Sequence, residues 1–377
     1  MEFDIFFSIC QTEVHGYMPD ERRMFENFFE QVELADQLGF GTAWIAESHL
    51  STEVQKMNPG AVIPHFVGEI GLNTDILQLA HRVFARTKRI GAGSAIMNIL
   101  CNGGPIAAAE RVKTFLTLHG LDPHESRILT VGFAAGRFPF INIPYGIVPR
   151  NKLEEAAWPQ VRNKIFEEAT EIFLRLLKGE VLSSDMIARR FITVDGKEVP
   201  LEPRWCFPNL KIIPQEPRMD LMRLSIGSHD PHTQILANTF LPVGVFNLSI
   251  TPGDEIEKTN ERMRDHYHPA GGGWHRRLMP RTVLVFIHDD PAQAAEEARD
   301  ALTNYWRALE GTLDESKVRR ATDNALVGDA VTIERQMHQR FHPEDRLMLW
   351  FDFNNHDSER VMKNMTDFMT RVAPRFL

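Results

Sequence analysis

Residues 41–50 read GTAWIAESHL, an apolar run that ends on Glu47, Ser48 and His49. An imidazole exchanges protons near neutral pH, and a neighbouring carboxylate fixes its orientation. The trio therefore offers an acid/base pair, Glu47 and His49, with the Ser48 hydroxyl between them. The same residues also read as a structural pair that satisfies only itself and nearby backbone. His266 and His268 suggest a second chemistry, the H-x-H spacing of a metal-dependent hydrolase. They lie between a helical stretch and the Gly-rich AGGGW, and the first apolar run, DIFFSIC, carries no histidine. No converging ligand set assembles, so no metal is expected. Cys10, Cys101 and Cys206 are odd in number and far apart, which fits reduced thiols better than a disulfide framework.

Regular elements must hold these groups in place. Apolar runs at 2–10, 41–46, 89–97, 128–133, 221–226, 243–248, 282–287 and 347–351 read as buried strands. Helical spacing recurs between them. Phe25, Phe28, Phe29, Val32 and Ala35 follow a capping Asp20 and precede Gly39. Ala108, Val112, Phe115 and Leu116 follow Pro105, and Ile165, Phe166, Ala169, Ile172, Phe173 and Leu176 fall in 159–177. Further helical patterns fall at 77–85, 232–240, 254–266, 329–341 and 358–372, and one starts at Pro291. Such alternation predicts a parallel sheet with covered faces, and eight units fit a (β/α)8 TIM barrel. A doubly wound open sheet is the alternative, but no GxGxxG opens the first helix and there is no P-loop. In a barrel the chemistry sits at the C-terminal strand ends, so Glu47, Ser48 and His49 would face the mouth. The alternation breaks over 182–217, a long insertion after the fourth strand–helix unit. The whole chain, 1–377, reads as one domain.

The composition narrows the partners. Of 377 residues 43% are apolar and 25% charged, an ordinary globular balance. A net charge of −9 gives nucleic acid no electrostatic support. No apolar run is long enough to span a membrane. MEFDIFFSIC has no basic n-region or small-residue cleavage site, so a cytoplasmic protein is expected.

WIAESHL resembles the second-strand signature of the bacterial luciferase-like flavin-dependent monooxygenases. RIGAGSAIM is similar to their third strand, GPIAAAERV to the helix after it, and GFAAGRFPF to the fourth strand and its loop. IFEEATEIFLRLLKGE resembles the long helix that follows, and NALVGD, LMLWF and FMTRVAPRF the C-terminal end. The resemblance runs from Phe3 to Phe376 and thins across 183–217. It implies a barrel that binds reduced FMN, supplied by a separate flavin reductase, and uses O2 to oxygenate a small organic substrate. A subgroup uses a deazaflavin as a hydride carrier, and a flavin-holding barrel without turnover is a further reading. Under this resemblance 182–217 becomes a candidate lid, with a structural or dimer-forming excursion as the alternative. A homodimer through helices near the second and third strands is also implied.

Residue by residue, the resemblance implies Ser94 and Ala95 beneath the flavin ring, often beside a cis peptide. It implies Gly136, Arg137, Lys164, Gly227 and Ser228 around the flavin phosphate, where a helix start, a hydroxyl and a fixed cation suit an anion. His49 would be the acid/base, oriented by Glu47. Three positions depart from the pattern. Ser48 stands where luciferases place a catalytic histidine, Ala134 where they place a reactive cysteine, and Ala135 where they place a phosphate-binding arginine. Light emission is therefore not expected, and the phosphate cation is expected at Arg137. Phe7, Met97, Phe138 and Trp205 are candidates for an apolar substrate pocket.

Overall fold

The computed structural model describes residues 1–58, 63–136, 138–310 and 315–377. Among the described residues, eight parallel strands alternating with helices form a ring, and two short parallel strands, Met97–Asn98 and Leu326–Gly328, pair beside it. The eight are β1 Glu2–Phe7, β2 Thr42–Ile45, β3 Gly91–Ser94, β4 Leu129–Ala134, β5 Met222–Ile226, β6 Gly244–Val245, β7 Arg281–Ile287 and β8 Arg346–Trp350. All eight fall on the apolar runs read from the sequence. Neighbours pair in order from β1 to β6, and β8 pairs with both β1 and β7. The ring closes just past β6, where Asn247 bridges Arg281 through Asn247 N–H to Pro280 O (2.9 Å) and Thr282 N–H to Asn247 O (3.0 Å). The result is a (β/α)8 barrel.

Each strand is buried on both faces, which is why it reads as a continuous apolar run. Phe3, Ile5 and Phe7 of β1 join the core shared with the helices, where Phe7 meets Phe28 at 5.1 Å. The alternate residues, Asp4 and Phe6, belong to the barrel interior. Phe6, Trp44, Phe246 and Met348 fill one interior level. Gly93 is paired in register with Trp44, and a Cβ on it would lie 2.8 Å from the indole ring. The glycines of RIGAGSAIM thus make room for a tryptophan on the next strand. Below that level Asp4 accepts from Trp44 Nε1 (2.6 Å), Thr42 N (2.9 Å) and Arg346 Nε (2.6 Å), so a buried charge is fully partnered.

The helices obey their sequence signals. Glu21–Leu38 starts on Asp20, whose carboxylate accepts from Arg23 N, and ends on Gly39 at φ 87°. Trp158–Lys178 ends likewise on Gly179. No helix among the described residues is long and apolar enough to cross a membrane.

Residues 182–217 leave the far end of Trp158–Lys178 and climb its outer face. They contain an antiparallel hairpin, Phe191–Val194 with Lys197–Pro200, turned by Asp195 and Gly196 at positive φ. Arg190 reaches Glu171 (2.8 Å), and further along the buried Arg204 reaches Glu154 (2.5 Å) and the Val148 carbonyl (2.9 Å). The physical reason is topological. A helix-to-strand connection returns to the N-terminal end of the barrel, opposite the mouth.

Candidate functional site

A cavity of about 960 Å³ opens at the C-terminal ends of the strands. Its floor is the top of the barrel interior, formed by Phe6, Ala46, Ala95, Ile96, Phe246 and Trp350. The Ala95–Ile96 peptide is cis. Over the mouth lies a small separate core of Ile63, Phe138, Phe140 and Ile141, packed with Phe66, Ile70 and Tyr305. It joins the loops after β2 and β4 to the helix Pro291–Leu309. No residue of 182–217 lines the cavity, so in this conformation the roof is this cluster and not the insertion expected as a lid. The insertion instead braces the wall segment Val148–Trp158 from outside, through Arg204 and through Arg150 Nη1 to Pro203 O (2.8 Å).

Glu47, Ser48 and His49 line one side. His49 Nε2 lies 3.1 Å from Glu47 Oε1, and the two side chains are 8% and 1% exposed. Glu47 Oε2 also accepts from Ile76 N at 3.2 Å, tying the pair to the start of the helix Ile76–Arg86. Asn73 clamps the strand end on both sides of Glu47: its Nδ2 donates to Ala46 O (3.0 Å), and its carbonyl accepts from Ser48 N (2.9 Å). Behind them burial, then the Glu47 charge, pushes the Cys101 thiol up to about 12, which leaves it inert as a nucleophile.

Beyond this pair, β1 and β8 contribute Ser8, Cys10, Trp350, Phe353 and Asn354. Asp352 is half-buried next to them, with its Oδ1 shielded from solvent. Burial pushes its carboxyl up to about 7, opposed by its own amide, the Trp350 indole and the Ser8 amide. Burial and the nearby Asp352 push the Cys10 thiol up to about 12.

The opposite side is built by the helix Trp158–Lys178. Trp158, Arg162 and Phe166 recur every four residues and line the cavity together. Arg162 is half-buried and makes no hydrogen bond or ion pair with any described residue. The β5 and β6 ends add Gly227, Ser228, His229 and Thr251. His229 Nε2 lies 3.5 Å from Thr251 Oγ1, and partial burial lowers its pKa against the opposing charge of Glu255. A Cβ on Gly227 would fall 2.3 Å from Ile96 Cδ1, so only glycine leaves this part of the floor open. Gly136, at φ 78°, lies against Asn98, whose Nδ2 donates to Asn142 Oδ1 at 2.7 Å and knits the β3 and β4 loops into one wall.

The structure thus gathers Glu47, Ser48, His49, Ala95, Gly136, Gly227 and Ser228 around one cavity. Ser94 is fully buried beneath the floor, its hydroxyl without a partner among the described residues. Lys164 is not in the cavity. It stands two residues from Arg162, some 200° round the helix, and its ammonium pairs with Glu167 at 2.7 Å. Arg137 lies outside the described residues. The helix start after β5 is already taken, because Asp230 caps Thr233 N at 3.0 Å. Of the apolar candidates only Phe138 lines the cavity; Phe7 and Met97 are core, and Trp205 packs against Gly104 on the flank. Arg162, Asn73 and Asn98 are site residues the sequence reading missed. The four-residue recurrence of Trp158, Arg162 and Phe166 was the available signal for the first.

The model of the luciferase-like monooxygenases matches residues 1–348. No curated protein matches the sequence. The monooxygenase RslO1 from Streptomyces bottropensis is similar in structure, with a TM-score of 0.69, 18% identity and 100% of both chains covered. The oxygenating constituent of 3,6-diketocamphane monooxygenase from Pseudomonas putida, solved with FMN, has a TM-score of 0.63 and 15% identity over 100% of this chain and 99% of that one. An F420-dependent secondary alcohol dehydrogenase has a TM-score of 0.58 and 14% identity, covering 99% of this chain and 98% of that one. At such identities these likenesses speak to the fold.

Proposed function

The chain belongs to the luciferase-like monooxygenase family, and we propose that it is a monooxygenase that takes reduced FMN from a separate reductase and oxygenates a small organic molecule with O2. The observation that carries this reading is the cavity itself: an apolar floor with the Arg162 guanidinium, unpaired among the described residues, on one side and the buried Glu47–His49 pair on the other. The residues present fit a flavin phosphate and ring. Arg162 offers an uncommitted cation to the phosphate, with the Ser228 hydroxyl and His229 nearby. Ala46 and Ala95 carry nothing beyond Cβ, so a planar ring can lie against the floor. Reduced FMN, when bound, supplies the two electrons with which one oxygen atom of O2 goes to substrate and the other to water.

The chain's own part is to bind, orient, dry and move a proton. Arg162 holds the phosphate end. The roof of Ile63, Phe138 and Ile141 keeps water from the floor. Glu47 holds His49 through Nε2, which leaves Nδ1 as the nitrogen that exchanges a proton with substrate. The test mixes protein anaerobically with reduced FMN, admits O2, and follows absorbance on a millisecond timescale. Reoxidation slower than that of free flavin, coupled to product when substrate is present, is the expected result. Binding of a reduced deazaflavin in place of FMN would move the reading to hydride transfer on the same fold. A stoichiometric oxidised flavin with no substrate-dependent O2 uptake would leave a non-catalytic barrel.

A further inference from the structure

We infer that the substrate is a neutral aromatic molecule bearing uncharged oxygen groups, such as a phenol or aryl ketone, and not a carboxylate, phosphate or amine. This rests on the flavin reading above, which assigns the Arg162 end of the cavity to the cofactor. The rest of the cavity, at the ends of β1, β2 and β8, is walled by Phe66, Phe138, Tyr305, Trp350 and Phe353. Trp350 and Phe353 meet at 4.7 Å and 77°, and Phe353 and Tyr305 at 5.3 Å and 71°. These edge-to-face contacts build an aromatic wall against which another ring can pack. Ligand cavities run to roughly 300–1,000 Å³, so about 960 Å³ is at the top of that range and has room for a ring system beside a cofactor.

The polar groups on that side are uncharged or already committed. The Tyr305 hydroxyl and the Asn304 amide line the cavity and form no hydrogen bond with any described residue. They are a donor and a donor–acceptor suited to a hydroxyl or carbonyl. Glu47 is spent on His49 and Ile76 N–H, so it offers little to an ammonium group. Asp352 is half-buried and held toward its neutral form. Arg320 lies on the β6 side with its Nε donated to Ile250 O at 3.3 Å. Among the groups at the β1, β2 and β8 ends, a substrate anion would therefore be stripped of water with no Lys or Arg from those strand ends beside it.

The pair 2-naphthol and 2-naphthoate shares one ring system and differs in charge at pH 7. Equilibrium dialysis against FMN-loaded protein measures both, and FMN affinity is measured separately by flavin fluorescence. The naphthol is expected to bind at least about tenfold more tightly than the naphthoate. Tyr305→Phe, which keeps the ring, is expected to weaken naphthol binding about fivefold, and Phe66→Ala by more. Naphthoate binding as tight as naphthol, no naphthol binding, or naphthol binding indifferent to both variants overturns the inference. Naphthol binding without FMN binding sinks the cofactor assignment and leaves the aromatic pocket standing.

Discussion

The strongest consequence of the geometry concerns Arg162 and its neighbour two residues on. Arg162 lines the cavity uncommitted, whereas Lys164 is turned to Glu167 at 2.7 Å. A hydrogen bond to a charged group is worth about 1.5–3 kcal/mol net, and partial exposure of Arg162 pulls the figure toward the lower end. Arg162→Ala should then weaken FMN binding about 10- to 150-fold. Riboflavin lacks the phosphate, so its affinity should change less than about twofold in the same variant. Arg162→Lys keeps the charge without the planar fork and should fall between. Lys164→Ala should leave FMN affinity within about twofold. Titration by quenching of flavin fluorescence reads all of these. Equal losses for FMN and riboflavin in Arg162→Ala would show that the side chain supports the cavity's shape and not the phosphate. A larger FMN loss in Lys164→Ala than in Arg162→Ala would refute the placement of the two residues.

Three further outcomes follow from the fold and site. His49→Ala should slow turnover by about 10²- to 10⁴-fold while FMN affinity holds; unchanged turnover in steady-state O2 uptake would return Glu47 and His49 to a structural pair. Gly93→Ala puts a Cβ 2.8 Å from a buried Trp44 ring that Asp4 pins at 2.6 Å. The ring has nowhere to go, so urea unfolding should show a loss of about 1–3 kcal/mol, and an unshifted midpoint would contradict the packing. Asp352 is an acid whose folded pKa is raised from 3.8 to about 7, so its contribution is full below pH 4 and is lost as pH rises toward 7. Asp352→Asn should therefore gain stability over the parent between about pH 4 and pH 7, by a few kcal/mol, and hold that gap above. A gap that stays constant from pH 5 to pH 8 would show that the carboxyl does not titrate in this window.

The barrel was legible because its strands are buried on both faces, so each of the eight leaves an uninterrupted apolar run whatever its partners. The polar finish of GTAWIAESHL was legible for the same reason, since Glu47, Ser48 and His49 break such a run where the strand leaves the core. What sequence order hides is which side of an element faces the site. Lys164 and Arg162 are both basic and two residues apart, yet 200° of helical rotation sends one to Glu167 and the other into the cavity. Only the recurrence of Trp158, Arg162 and Phe166 tells them apart. The insertion poses the same question at larger scale. It follows a helix and precedes a strand, so its ends lie at the barrel's N-terminal end, and its length alone did not say that it would climb the flank to Glu154. The interior is less legible still. Asp4, Trp44, Gly93 and Arg346 come from four strands, and no local pattern connects them until the ring closes. A strand end therefore announces that it carries chemistry, and only the neighbouring strands and helices decide what that chemistry can touch. For Glu47 and His49 those neighbours are an apolar floor, an aromatic wall and, on the far side, the Arg162 guanidinium. On the proposed reading, that combination would set the cofactor's phosphate and the substrate's ring at opposite ends of one cavity, with His49 beside the substrate.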